Sequence, residues 1–92
     1  MEKKLSVVVS VYNEEQALPM FYETTKLILE ILPWDYELLF VNDGSRDDSL
    51  SILREYAARD EKVKFVSFSR NFGHEAAMIA GIDYADGDGI VC

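Results

Sequence analysis

Short apolar blocks alternate along the chain with longer segments in which apolar residues recur every three or four positions. The block Leu5–Val11 is almost continuously apolar, which predicts a strand buried on both faces. The blocks Tyr36–Val41 and Lys64–Phe68 predict two more strands, and a fourth begins at Ile90–Cys92. The order β-α-β-α-β-α-β predicts an α/β fold with a doubly wound, mainly parallel sheet and helices on both faces.

The first predicted helix begins near Leu18, with Pro19 in its first turn, and ends before Pro33. Seven positions recur at helical spacing and are expected to face the core: Leu18, Phe21, Tyr22, Thr25, Ile28, Leu29 and Leu32.

Two further helices are predicted over residues 47–58 and 75–85. Ser45 and Asp48 resemble a capping box at the start of the former. Small residues give the latter a face that can approach the sheet closely.

Three polar loops follow the predicted strands, at residues 12–15, 42–45 and 69–74. In open α/β sheets, ligands bind beyond the carboxyl ends of the strands. The three loops are therefore predicted to converge and to form one ligand site.

Asp43, followed by Gly44, is placed to accept hydrogen bonds from a nucleobase. Uracil and guanine both offer imide donors, so this residue does not choose between them. An Asp-Gly pair is equally typical of a plain turn.

In the first loop, Tyr12 could stack on a base, while Asn13 and Glu14 could lie against base and ribose. The alternative is that Tyr12 borders the core and that the two polar residues begin a helix, where acids are favoured.

In the third loop, a helix N-terminus with Gly73 could accept a phosphate through backbone N–H groups, and Arg70 could pair with it. His74 is a weak candidate for chemistry. The alternatives are a surface ion pair for Arg70 and a capping or packing role for His74.

The charge balance limits the partners. There are 17 acidic and 9 basic residues, a formal charge of −8, so the surface repels phosphate backbones and no nucleic-acid partner is expected. A dinucleotide fingerprint, a phosphate-binding loop of the Walker type, a Cys/His zinc cluster and a serine triad are all absent from the sequence. An anionic ligand would have to be held by local donors.

Together the segments 7–15, 39–45, 69–77 and 85–88 resemble the inverting family 2 glycosyltransferases of the GT-A fold. The segment 69–77 is similar to the branch of polyprenyl-phosphate glycosyltransferases and dolichyl-phosphate mannose synthases. Many members have proline where this chain has Ser10, and a first aspartate where it has Asn42.

The resemblance implies that Asp43 holds the base and that Arg70 lies near the pyrophosphate. The full set implied to bind the nucleotide sugar is Tyr12, Asn13, Glu14, Asp43, Gly44, Arg70, Gly73 and His74. It also implies an Asp-x-Asp motif for Mg²⁺ or Mn²⁺, whose ligands we expect beyond Cys92. Residues 1–92 are thus expected to be the nucleotide-sugar-binding N-terminal part of a glycosyltransferase domain, with no catalytic residue or metal ligand of their own.

For the parent protein, the resemblance implies transfer of a hexose from a nucleotide diphosphate sugar to a polyprenyl phosphate or another glycan or lipid acceptor. UDP is favoured over GDP, and displacement inverts the anomeric carbon. The chain would be a cytoplasmic domain whose parent contacts the membrane, on its cytoplasmic face, through other residues. The alternatives are a non-catalytic folded fragment or protein-interaction module, and an unrelated flavodoxin-like domain.

Overall fold

The computed structural model describes residues 3–92 and confirms the predicted alternation of strands and helices. Every element lies within two residues of its predicted bounds. The elements are β1 (Lys4–Val11), α1 (Leu18–Ile31), β2 (Asp35–Asn42), α2 (Ser49–Arg59), β3 (Val63–Ser67), α3 (His74–Tyr84) and β4 (Gly89–Val91).

The strands form one four-stranded sheet in the order β3-β2-β1-β4, and every pairing is parallel. The carboxyl ends of the strands therefore share one edge of the sheet. The chain moves outward from β1 to β3 and then returns to the other side of β1. In doubly wound folds, a ligand crevice lies at such a reversal of strand order.

One core lies between the sheet and helices α1 and α2. Leu38 and Phe40 of β2 point to this face and pack with Leu18, Leu53 and Tyr56 of the two helices. Alternate residues of a strand face opposite sides, so the intervening residues of β2 belong to a second core.

The second core is thinner and lies under α3, where Val8, Leu39, Val41 and Ala77 are buried together. A Cβ on Gly81 would lie 2.2 Å from Cγ1 of Val8, so this position requires glycine or a local shift. The small-residue face of α3 thus sets the close approach of helix and sheet.

The strand buried on both faces is β2, whereas the sequence pointed to β1. In β2 every residue after Asp35 is buried, but in β1 several residues are only partly covered. The partly covered residues of β1 include Leu5, Val7 and Val9, which alternate along the strand and so share one face. Val7 and Val9 pack against the core under α1 and α2 but are not fully covered by it.

The predicted core face of α1 is also only partly confirmed. Leu18 and Leu29 are buried, but Phe21 is 39% exposed and Ile28 is 57% exposed. Among residues 3–92, no helix is both long enough and apolar enough to cross a bilayer.

The predicted capping box is wrong. Asp48 is the N-cap residue of α2, but its side chain makes no capping hydrogen bond. The Ser45 hydroxyl oxygen instead accepts a hydrogen bond from the Asn13 N–H, in the loop after β1.

Candidate functional site

The loop after β1 is fastened to the loop after β2. The Asn13 N–H donates to Ser45 Oγ at 2.9 Å, and Asn13 Oδ1 accepts from the Arg46 N–H at 2.8 Å. Asn13 has a φ of 52°, a left-handed conformation that asparagine tolerates better than most residues. Its side chain therefore joins two loops, and its carboxamide oxygen already has a donor.

Glu14 has a different environment. Its N–H donates to Ser49 Oγ at 2.9 Å, and its carbonyl oxygen accepts from the Leu18 N–H as α1 begins. Its side chain is exposed. The backbone of Glu14 thus positions the loop, while the carboxylate stays in contact with solvent.

Asp43 connects the loop after β2 to the loop after β3. Its Oδ1 accepts from the Phe72 N–H at 2.7 Å, and its Oδ2 accepts from the Gly73 N–H and from Asn71 Nδ2, both at 3.0 Å. Asn71 Nδ2 also donates to the Asp43 carbonyl oxygen at 3.1 Å. Asp43 is only 3% exposed.

This geometry corrects two expectations about orientation. The Asp43 carboxylate was expected to face an incoming ligand, but the donors of the third loop hold it inward. The Gly73 N–H was expected to face a phosphate, but it donates to Asp43. Contact of either residue with a nucleotide stays a prediction.

Gly44 lets the same two loops touch along their backbones. A Cβ at this position would lie 2.2 Å from the carbonyl carbon of Arg70 and 2.4 Å from the nitrogen of Asn71. Its φ is 70°, which favours glycine. No side chain fits here without displacing the third loop.

The third loop contacts the end of β1 at His74. Its Nδ1 lies 2.9 Å from Ser10 Oγ, within hydrogen-bond distance. A proline at position 10, which the resemblance gives for many relatives, could not make this bond. The predicted convergence of the three loops is therefore confirmed, and we call them the carboxyl-edge loops (12–15, 42–45 and 69–74).

Tyr12, Glu14, Arg70 and His74 are among the exposed residues of the carboxyl-edge loops. The Arg70 guanidinium lies over the Phe72 ring, 4.7 Å from its centroid. Within residues 3–92 no acidic side chain pairs with it at 4.0 Å or less, so the alternative, a surface ion pair, is not formed there. A cation and an imidazole thus remain available at this edge.

Two grooves open to solvent at opposite edges of the sheet. At the carboxyl edge, between β1 and β4, Ser10, His74 and Val91 line one of them. At the amino edge, Lys4 and Trp34 help to line the other. The first groove lies at the reversal of strand order, and His74 is the residue of the carboxyl-edge loops that lines it.

The described residues do not fit a metal ion. Within residues 3–92, no three or more His, Cys, Asp or Glu side chains are grouped so that they could hold one. Asp86 and Asp88 instead belong to the turn that leads into β4, where Asp88 Oδ2 accepts from the Lys4 N–H at 2.9 Å.

Sequence reasoning missed a buried carboxylate at the amino edge. Glu37 is 1% exposed, and its Oε2 accepts from Ser6 Oγ at 2.5 Å and from the Asp86 N–H at 2.6 Å. Lys64 Nζ lies 2.8 Å from Oε1. Burial raises the pKa of Glu37, but the Lys64 ammonium and the Ser6 and Asp86 donors outweigh it and lower the pKa to about 2.

The only sequence signal for this carboxylate was an acid inside the otherwise apolar block Tyr36–Val41. Asn71 was noticed in the third loop but not assigned to the site. A single asparagine is too common in loops to mark a bridging residue.

Residues 6–92 match the model of Glycosyl transferase family 2. The chain belongs to this family. It is 52% identical over 86 residues to an uncharacterized glycosyltransferase, YkcC, of Bacillus subtilis (strain 168), covering 94% of this chain and 27% of that protein. It is 47% identical over 88 residues to the bactoprenol glucosyl transferase of Shigella phage SfV, covering 96% and 29%.

Solved structures show the same fold. S. aureus TarS 1-349 in complex with UDP is 25% identical, with a TM-score of 0.78, and covers 96% of this chain and 26% of that one. The mannosyltransferase PcManGT from Pyrobaculum calidifontis, in complex with GDP-Man and Mn²⁺, is 22% identical with a TM-score of 0.72, covering 96% and 26%. The chain thus spans little more than a quarter of the length of these relatives.

Proposed function

We propose that the chain is the nucleotide-recognition part of a glycosyltransferase that transfers a hexose from a nucleotide diphosphate sugar to a polyprenyl phosphate. A UDP-sugar is favoured as donor, and a GDP-sugar is the alternative. The observation that carries the proposal is the joining of the three carboxyl-edge loops into one unit beside the reversal of strand order.

The chemistry of the exposed side chains supports this assignment. Tyr12 offers an aromatic face to a base, and Arg70 offers a planar cation to a phosphate. Because the chain carries a net charge of −8, an anionic ligand gains its attraction locally, from Arg70 and from backbone N–H groups.

Asp43 and Gly44 form the floor of this proposed site, while Asn13, Glu14, Gly73 and His74 complete its border. The resemblance implies a hydrogen bond from the base to Asp43. That bond requires the carboxylate to release at least one of the donors that it now accepts.

The similar proteins support the donor and acceptor classes. One relative is named a bactoprenol glucosyl transferase, and the structures that resemble this chain include complexes with UDP and with UDP-GlcNAc. A divalent metal, Mg²⁺ or Mn²⁺, is proposed for a protein of the relatives' full length, because PcManGT was solved with Mn²⁺. Association of such a protein with the cytoplasmic face of a membrane is proposed from the resemblance to polyprenyl-phosphate glycosyltransferases, whose acceptor is a lipid.

The test is an NMR titration of the isotope-labelled chain with UDP and GDP, with and without Mg²⁺ or Mn²⁺. We expect weak saturable shifts at residues 12–14 and 70–74, and no hexose transfer to a polyprenyl phosphate by the 92 residues alone. Shifts that do not saturate contradict the proposal and favour the alternative, a folded module without useful ligand binding.

A further inference from the structure

We propose that Phe72 is a positioning residue for Arg70, because its ring holds the guanidinium at the carboxyl edge in the orientation in which it meets the nucleotide. This inference rests on the proposed function for its ligand and on the contact between the two side chains for its mechanism. The guanidinium carbon of Arg70 lies over the Phe72 ring, 4.7 Å from the centroid. A cation within about 6 Å of a ring centroid is attracted by the electron-rich face of the ring.

The Phe72 ring is itself supported by the body of the protein. It meets the Phe68 ring edge-on, with centroids 5.5 Å apart and an angle of 88° between the planes, which is a favourable aromatic geometry. Phe68 directly follows β3 and packs against the second core, under α3. Phe72 is 52% exposed, so its ring joins this core to the solvent-facing side of the third loop.

Arg70 has a fixed backbone and a long, exposed side chain. A Cβ on Gly44 would lie 2.2 Å from the carbonyl carbon of Arg70, so the loop after β2 touches the backbone at this position. No acidic side chain of the described residues 3–92 lies within 4.0 Å of the guanidinium. Ordering such a side chain on a ligand costs conformational entropy, and the contact with Phe72 reduces that cost before the ligand arrives.

The contact with the ring also leaves the hydrogen-bond donors of Arg70 free. A guanidinium carries five N–H donors, and a carboxylate partner would occupy two of them in a bidentate pair. An aromatic ring attracts the cation without accepting a conventional hydrogen bond. Phe72 therefore restrains Arg70 while keeping its donors available to an anionic ligand.

NMR spectra test the contact without any ligand. Protons that lie over an aromatic ring are shielded, so in Phe72→Leu we expect the Hδ and Hε signals of Arg70 to move downfield. Phe72→Tyr keeps the ring and should keep these shifts, and protected core amides of β2 should show that each variant is folded. Tyr84→Leu, at an aromatic residue of α3 that is 65% exposed, is the control. Unchanged Arg70 signals in Phe72→Leu overturn the proposal.

Titration with UDP tests the consequence for binding. We expect Phe72→Leu to bind UDP about twofold to fivefold more weakly than the unsubstituted chain, the range of an exposed cation–π contact. Phe72→Tyr should restore the affinity, because its ring offers the same face, and Tyr84→Leu should not change it. Full affinity in Phe72→Leu overturns the positioning role.

A double variant separates positioning from direct contact. If Phe72 acts through Arg70, then Phe72→Leu should cause no further loss of UDP affinity in a chain that already carries Arg70→Ala. A further loss in the double variant, or intermolecular NOEs between the Phe72 ring and the uracil H5 and H6 protons, overturns the proposal in favour of a ring that contacts the base itself.

The failure of this inference and that of the proposed function are distinguishable. If the unsubstituted chain binds neither UDP nor GDP, the proposed function fails, and the positioning of Arg70 for a nucleotide fails with it. If the chain binds UDP but the Arg70 signals do not respond to Phe72→Leu, only the present inference fails.

Discussion

Two edges of one sheet use a buried carboxylate in different ways. At the amino edge, Glu37 of β2 accepts hydrogen bonds from Ser6 and from the backbone just after α3. At the carboxyl edge, Asp43 accepts hydrogen bonds from the backbone just before α3. β2 and the residue that follows it thus fasten both ends of the same helix.

The difference lies in the compensation of charge. Glu37 lies 2.8 Å from the Lys64 ammonium and 3.8 Å from that of Lys4, so its charge is balanced inside the cluster. Asp43 is held by amide donors, and the nearby cation Arg70 is left to solvent. The amino edge therefore serves stability, whereas the carboxyl edge keeps charged groups available for a ligand.

The largest expected effect is at Gly44, where a substitution disturbs the carboxyl edge and leaves the amino edge intact. Gly44→Ala places a Cβ in the backbone of Arg70 and Asn71 at a positive φ, so we expect a loss of about 3 kcal/mol in the free energy of unfolding. Urea unfolding measures this. Gly89→Ala is the control, because its Cβ has only an ordinary contact at 3.8 Å with Leu5, and equal stability of the two variants would contradict the account.

The second effect isolates the amino edge. Glu37→Gln removes the charge that Lys64 and the Ser6 and Asp86 donors stabilise, and we expect a loss of about 2 kcal/mol in the free energy of unfolding. Glu55→Gln, in an exposed pair with Arg59, should change stability by less than about 0.5 kcal/mol. A Glu37→Gln variant as stable as this control would show that the buried cluster contributes nothing.

The contribution of Glu37 to stability should depend on pH. The pKa of Glu37 is lowered from 4.5 to about 2 in the folded chain, so its contribution is complete above pH 4.5 and is lost as the pH falls towards 2. The stability difference between the unsubstituted chain and Glu37→Gln, about 2 kcal/mol near neutral pH, should shrink through this range. A difference that stays constant from pH 7 to pH 2 would contradict the lowered pKa.

The smallest effect concerns the contact between the end of β1 and the third loop. Ser10→Ala removes the partner of His74 Nδ1 at an exposed position, so we expect a loss of at most about 1 kcal/mol. The His74 ring signals should shift in NMR spectra, whereas Ser69→Ala, at an exposed serine of the third loop, should leave them in place. Identical His74 spectra in both variants would exclude the contact in solution.

Much of the fold could be predicted from the sequence, because blocks such as Tyr36–Val41 carry a local signal of strand formation. The predictions that failed concerned burial, which depends on the elements that pack beside a strand or helix. The partial exposure of β1 and the exposure of Ile28 both depend on how the helices lie against the sheet. Neither can be read from periodicity along one segment.

The sequence predicted which loops form the site but not which hydrogen bonds their side chains make. The carboxyl ends of parallel strands must share an edge, so the meeting of the carboxyl-edge loops followed from topology. The inward turn of Asp43 depends on donors of Phe72 and Gly73, which are distant in sequence. Glu37 was missed because its partners Ser6 and Lys64 lie on other strands.

The most direct test of the account is a structure of the chain with UDP bound, by crystallography or from intermolecular NOEs. The account predicts the nucleotide at the carboxyl edge, against Tyr12 and Arg70. A nucleotide seated instead in the amino-edge groove, stacked on Trp34 beside Lys4, would contradict it.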